Sequence, residues 1–264
     1  MTEVAVFREV VYAQPPGFRP LRLDLHVPPE PAALCLYLHG GGWRVGSRTR
    51  PPFDDPSFFE RIARLGLAVA SIEYRLSGEA RFPAPLEDLT GAARYLAEHR
   101  RDFGVSTDAT VSWGVSAGGH LAALHALTTP TPAVSAVVCW YAPTDLLHLP
   151  DDIDAAGGQA DRGPGSREAL LLGATAAERP DLARAASPVH AVRQGPPPFL
   201  LMHGDRDVAV PCRQSHRLAR ALRTVGGVAG VEEVPGAGHM FPELGLEALR
   251  RLAARSARWL LRHV

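Results

Sequence analysis

Short runs of consecutive apolar residues alternate along this chain with longer stretches in which apolar residues recur every three or four positions. The short runs cover 4–12, 21–27, 33–40, 67–74, 110–116, 134–141, 198–205 and 231–236. The first two, VAVFREVVY and LRLDLHV, carry interleaved polar residues and predict a hairpin-like antiparallel edge. Runs such as ALCLYLHG, LAVASIEY and TVSWGVS are almost continuously apolar. Strands buried on both faces of a parallel sheet read that way. The periodic stretches predict helices over 57–66, 85–104, 212–227 and 244–264. In the second of these, Leu86, Leu89, Ala93 and Leu96 share one face, and the first ends on Gly66, suited to a cap. Alternation of this kind predicts an α/β fold: a mostly parallel eight-stranded sheet flanked by helices, in one domain over 1–264.

The rhythm breaks from Asp145 to Pro198, where no strand is predicted. The middle of this segment, DDIDAAGGQADRGPGS, is acidic and glycine-rich and reads as a solvated loop. Helix-like patches at 167–173 and 178–187 make 145–198 a candidate cap or lid insertion.

Composition narrows the class without identifying it. The apolar share of 46% against 21% charged residues suits a large core, and 264 residues suffice for one α/β domain. Basic and acidic residues balance at 28 each, so no net charge draws the protein to nucleic acid or to a membrane surface. All the basic residues are arginine. No apolar run reaches the roughly 18 residues of a membrane span. The start MTEVAVFREV lacks the pattern of a secretory signal, so the expected location is the cytoplasm. Cys35, Cys139 and Cys212 offer neither a disulfide framework nor a CxxC pair.

Two stretches carry candidate chemistry. HGGGW (39–43) places three glycines directly after an apolar run. Taken alone, it is either a flexible turn or a set of backbone N–H groups presented to something negative. WGVSAGGH (113–120) contains Gly-x-Ser-x-Gly centred on Ser116, between a predicted strand and a predicted helix. That setting is the one a nucleophile elbow needs, because the sharp turn exposes the serine hydroxyl above the sheet. A serine hydroxyl needs a base, and the base needs a partner that orients it. Asp205 and Asp207 follow one later strand and His239 the next, giving the chain order Ser, Asp, His. Spacing alone does not choose between the two aspartates.

With these pieces in order, the chain resembles the α/β-hydrolase esterases and lipases, in the group of hormone-sensitive-lipase-like and BD-FAE feruloyl-esterase-like enzymes. HGGGW, EYRL (73–76), PAPLEDL (83–89), GVSAGGH, YAPTDL (141–146), HGDRDVAVP (203–211) and GAGH (236–239) carry the resemblance. Glu73 stands where aspartate is more usual. The resemblance implies a serine hydrolase that cleaves carboxylic esters of small or medium groups through an acyl-enzyme. Ser116 would be the nucleophile, His239 the general base and then acid, and Asp207, in register with HGxxDxxVP, the orienting carboxylate. Gly41, Gly42 and Ala117 would supply the oxyanion-hole N–H groups, and glycine would be needed at the turn because side chains there would hold the substrate off. No metal or organic cofactor is implied, and the partner is a small-molecule ester; a homodimer is left open. Three alternatives stand beside this reading. They are a kynurenine-formamidase-like amidase, a tailoring hydrolase or cyclase acting on an acyl intermediate, and a non-catalytic ligand-binding protein of this fold.

Several residues have plainer readings. His39 and His203 are expected to brace loops, and His120 and His125 are spaced too far apart on a helix to make a metal pair. Among the histidines, cysteines and acids, no sequence cluster has zinc-like spacing. Tyr74 and Arg75 are expected to organise loops at the sheet. Trp43 and Tyr141 are candidate substrate-pocket residues, with packing an equal alternative.

Overall fold

The structure, a computed structural model, describes residues 3–264; the first two residues of the expected 1–264 unit lie outside the described residues. Each predicted run forms a strand: β1 (Ala5–Ala13), β2 (Leu21–Val27), β3 (Ala33–Leu38), β4 (Leu67–Ile72), β5 (Thr110–Val115), β6 (Val137–Trp140), β7 (Phe199–Gly204) and β8 (Ala229–Val234). Among the described residues they make one eight-stranded sheet in the order β1-β2-β4-β3-β5-β6-β7-β8. The β1/β2 and β2/β4 pairs are antiparallel and the remaining pairs parallel.

The period of two along a strand explains why both faces of β3 are apolar. Leu34, Leu36 and Leu38 join one core, whereas Ala33, Cys35 and Tyr37 join the other. The first core includes residues of α2 (Ala84–His99), α3 (Ala117–Thr128) and α8 (Arg213–Thr224). The second takes in residues of α1 (Phe58–Ala63) and α9 (Leu246–Leu261). Helices therefore cover both faces, as the alternation predicts. Helix α1 stops short of the expected glycine cap. The bonds Leu65 N–H to Ile62 O (3.0 Å) and Gly66 N–H to Ala63 O (2.8 Å) tighten its last turn instead.

Strand β2 departs from a half-solvated edge, because Asp24 and His26 are buried. Strand β1 lies outside it, and Arg48 reaches in from the loop beyond the glycine turn. Its Nε donates to Asp24 Oδ1 at 3.0 Å and its Nη1 to Glu73 Oε1 at 3.3 Å. Glu73 also accepts the Arg22 N–H at 3.2 Å and pairs with Arg19 at 3.0 Å.

The 145–198 segment has no strand and contains α4 (Leu149–Ala155), α5 (Arg167–Leu172), α6 (Pro180–Ala185) and α7 (Pro188–Ala191). The acidic stretch is thus not the solvated loop expected of it: its first part is helical and Asp152 is buried. Long-range partners neutralise that carboxylate. Arg217 donates to it at 3.0 and 2.9 Å, and Gln214 Nε2 at 2.7 Å. Asp151 and Asp154 remain outside, both paired with Arg162.

Strand register gathers the rim. Leu38 lies opposite Gly114, Val115 opposite Trp140, and Gly204 opposite Val234. The segments that follow β3, β5, β6, β7 and β8 therefore emerge side by side at one end of the sheet.

Candidate active site

Ser116 lies between β5 and α3 with φ 51° and ψ −121°, a conformation uncommon for a residue with a Cβ. The glycines around it make the turn sterically feasible. A Cβ on Gly118 would run into the carbonyls of Leu38 and His39, and one on Gly114 into the backbone of Gly118 and Gly119. Ser116 N–H donates to Trp140 O at 2.8 Å, which ties the elbow to β6. Non-glycine residues with positive φ concentrate here: Trp43, Ser116, Tyr141, Met240 and Phe241 all sit at this rim.

The Ser116 hydroxyl donates to His239 Nε2 at 3.1 Å, and His239 Nδ1–H donates to Asp207 Oδ2 at 2.6 Å. These partners set the tautomer, leaving Nε2 as the acceptor. Asp207 Oδ1 accepts the N–H groups of Ala209 (2.9 Å) and Val210 (2.8 Å). Burial alone would push this carboxyl up, but hydrogen bonding from His203 and His239 outweighs it, with the Val210 N–H assisting, and holds it at about 2 against an ordinary 3.8. His203 acts as a brace: Nε2–H donates to Val210 O at 2.6 Å and Nδ1 accepts from Ser215 at 2.7 Å. Asp205 lies apart from this line. Its Oδ1 accepts Gly236 N–H at 2.7 Å, so it anchors the loop carrying His239.

The glycine turn faces the elbow. Gly41 and Gly42 adopt φ 120° and 59°. The protein's own packing also leaves little room for side chains at these two positions. A Cβ on Gly41 would meet the Val45 carbonyl, and one on Gly42 would come within 2.7 Å of Arg167 Cδ. His39 braces the turn as expected, through Nδ1 to Gly40 O at 2.8 Å and by stacking on Tyr74 at 4.4 Å. Tyr74 O–H in turn donates to His39 O at 2.9 Å, and Arg75 pairs with Asp88 at 2.7 Å. Ala117 opens α3, where the first N–H groups of a helix lack intrahelical partners.

Trp43 and Tyr141 each expose only 1% of their surface, so they present almost no area to a ligand in this conformation. The Trp43 indole N–H donates to His120 Nδ1 at 3.2 Å, and His120 Nε2–H donates to Ala186 O at 2.6 Å. Burial pushes His120 down to about 4, so it stays neutral and can both accept and donate. Sequence reasoning assigned His120 no role; its bond to residue 186, inside the insertion, had no local signal. Tyr141 packs edge-on against His239 at 5.0 Å and against Phe241 at 4.9 Å. Among the described residues, the groups able to gather around a metal ion are Cys212, His216 and Glu233, outside this site.

A serine hydroxyl, an imidazole in the accepting tautomer and a buried carboxylate thus form one line beside a glycine turn. Such a line can deprotonate the hydroxyl and hold the resulting imidazolium. The BD-FAE family model matches residues 23–222. The chain is 31% identical to Esterase LipC of Mycobacterium tuberculosis over 81% of its length and 54% of the relative's. It is 29% identical to Esterase LipQ of the same organism, over 91% of this chain and 59% of that protein. The chain therefore spans little more than half the length of these curated relatives. Among solved structures, an esterase from the bacterial hormone-sensitive lipase family matches with a TM-score of 0.78 and 26% identity, covering 98% of this chain and 84% of that one. A truncated carbohydrate esterase from gut microbiota matches at 0.82 and 24% identity over 98% and 96%, a likeness of fold. The fold is that of the α/β-hydrolases.

Proposed function

The chain belongs to the BD-FAE family, and from that premise we propose that it hydrolyses carboxylic esters of small or medium acyl and alcohol groups, with Ser116, His239 and Asp207 as its catalytic residues. The observation that carries this reading is the continuous line from Asp207 through His239 (2.6 Å) to Ser116 (3.1 Å). Ser116 Oγ attacks the ester carbonyl carbon while His239 Nε2 takes its proton. Negative charge then develops on the carbonyl oxygen, where the N–H groups of Gly41, Gly42 and Ala117 receive it. Each such donor is typically worth about 3 kcal/mol in the transition state. Collapse of the tetrahedral species expels the alcohol, which takes the proton from His239. Water repeats the sequence on the acyl-enzyme and releases the acid. Asp207 holds the imidazole in the productive tautomer and faces the imidazolium as it forms.

The relatives named above are esterases, which favours ester cleavage over the amide, cyclisation and ligand-binding alternatives. In the same reading, residues 145–198 act as a cap on a single hydrolase unit. What supports this is that Arg167 of α5 rests on the glycine turn and Ala186 accepts from His120. No helix among the described residues is long and apolar enough to cross a membrane. The three free thiols accord with a reducing compartment such as the cytoplasm.

A fluorophosphonate probe with peptide mapping, run alongside p-nitrophenyl acetate turnover, tests the assignment. We expect the adduct on Ser116 and loss of both labelling and turnover in Ser116→Ala. An adduct on another serine, or a fully active Ser116→Ala, overturns it.

A further inference from the structure

We propose that Cys212, His216 and Glu233 form a surface site for a soft divalent transition metal, Zn²⁺ by preference, which clasps α8 to the edge strand β8. The ligand atoms of these three side chains all lie within 4.8 Å of one another. Cys212 caps α8 and His216 lies one turn further on, so the i, i+4 spacing puts both on one helix face. Glu233 comes from β8, the last strand of the sheet, and its Oε1 is 2.7 Å from His216 Nε2. With zinc–ligand bonds of about 2.0–2.3 Å, tetrahedral ligand atoms lie roughly 3.5 Å apart. Small rotations are enough to reach that spacing, and His216 and Glu233 are exposed and free to make them.

The donor set is chemically selective. Thiolate and imidazole favour Zn²⁺ over Mg²⁺ or Ca²⁺, which prefer all-oxygen shells. Binding replaces the contact between His216 Nε2 and Glu233 Oε1: the imidazole presents its Nε2 lone pair with its proton moved to Nδ1, Cys212 Sγ gives its proton to solvent, the Glu233 carboxylate turns to the metal, and water takes the fourth position. The bridge would also steady the candidate active site, because α8 carries Gln214 and Ser215. Gln214 accepts the backbone N–H of Thr144 and Asp145 at 2.8 Å, and Ser215 holds His203 behind Asp207. In the sequence Cys212 and His216 form only a C-x-x-x-H pair, too few groups for a zinc-like cluster; the third ligand arrives through the packing of α8 against β8.

Cys35 and Cys139 are buried, so alkylation of the native full chain by a maleimide reports on Cys212. With metal-free protein, Zn²⁺ should slow this alkylation at least about tenfold and Mg²⁺ should not. His216→Asn and Glu233→Gln should each raise the Zn²⁺ needed for half-protection by about 10–100-fold, the scale for disturbing a metal's support. Co²⁺ should give a thiolate charge-transfer band that Cys212→Ser abolishes. Unchanged alkylation at millimolar Zn²⁺, equal protection by Mg²⁺, or protection unaltered in both ligand variants overturns the site. Inhibition of ester turnover by Zn²⁺ without protection of Cys212 places the ion elsewhere and does the same.

Discussion

The two aspartates after β7 differ in what they hold, and that difference is measurable. Asp207 faces the imidazole, whereas Asp205 accepts the Gly236 N–H. Asp207→Asn should lower kcat by about 10⁴, the loss seen when the equivalent serine-protease carboxylate becomes an amide. Asp205→Asn should leave kcat near wild type and cost about 1 kcal/mol of stability, the scale of one hydrogen bond. Turnover and melting curves for both variants check this, and a reversal of the two phenotypes would move the catalytic acid to Asp205. The lowered carboxyl of Asp207 adds a second expectation. Its folded value of about 2 lies below the ordinary 3.8, so its ionised form is favoured by folding. That contribution is fully present above about pH 4 and is lost as pH falls through about 2, amounting to roughly 2 kcal/mol. Urea unfolding from pH 6 downward should therefore show wild type losing its advantage over Asp207→Asn in that window. A constant gap between the two would contradict it.

Helix α3 links elements far apart in the chain. Its His120 receives the indole N–H of Trp43 beside the glycine turn and donates to Ala186 between α6 and α7. His120→Phe keeps most of the ring volume but leaves a buried donor and a buried acceptor unpaired. Each such group costs about 1–3 kcal/mol. We expect a lower melting temperature and a fall in kcat for p-nitrophenyl acetate. That fall should be smaller than the roughly 10²–10³-fold of losing an oxyanion donor outright. Unchanged melting and turnover would mean that the bond does not steady the turn.

Across the whole molecule, charge pins the antiparallel edge to the rim that carries the candidate site. Arg48, nine residues after His39, is buried against Asp24 and Glu73, with 9% of its side chain exposed against 4% for Asp24. Removing one partner of a buried pair strands the other, at about 3–5 kcal/mol. Arg48→Met should therefore destabilise on that scale in denaturant unfolding. Adding Asp24→Asn should recover part of the loss, because the stranded charge is then gone. An additive double variant would show that the two side chains do not interact.

Sequence by itself determined what near neighbours decide. The strand runs, the flanking helices, the elbow between β5 and α3 and the glycine turn all appear where periodicity and glycine placement put them, because backbone propensity and burial pattern act over a few residues. The order Ser116, Asp207, His239 was legible as motif, although the choice of Asp207 over Asp205 rested on family resemblance. Tertiary structure separated the two aspartates by their partners, His239 for one and Gly236 for the other. It also turned acidic residues read as solvated loop into α4, with Asp152 buried on Arg217, and gave His120 its bridge. The assembly of Cys212, His216 and Glu233 belongs to the same class. In each case the deciding partner lies tens of residues away, and strand register with helix packing, which no local pattern encodes, sets the distance between them.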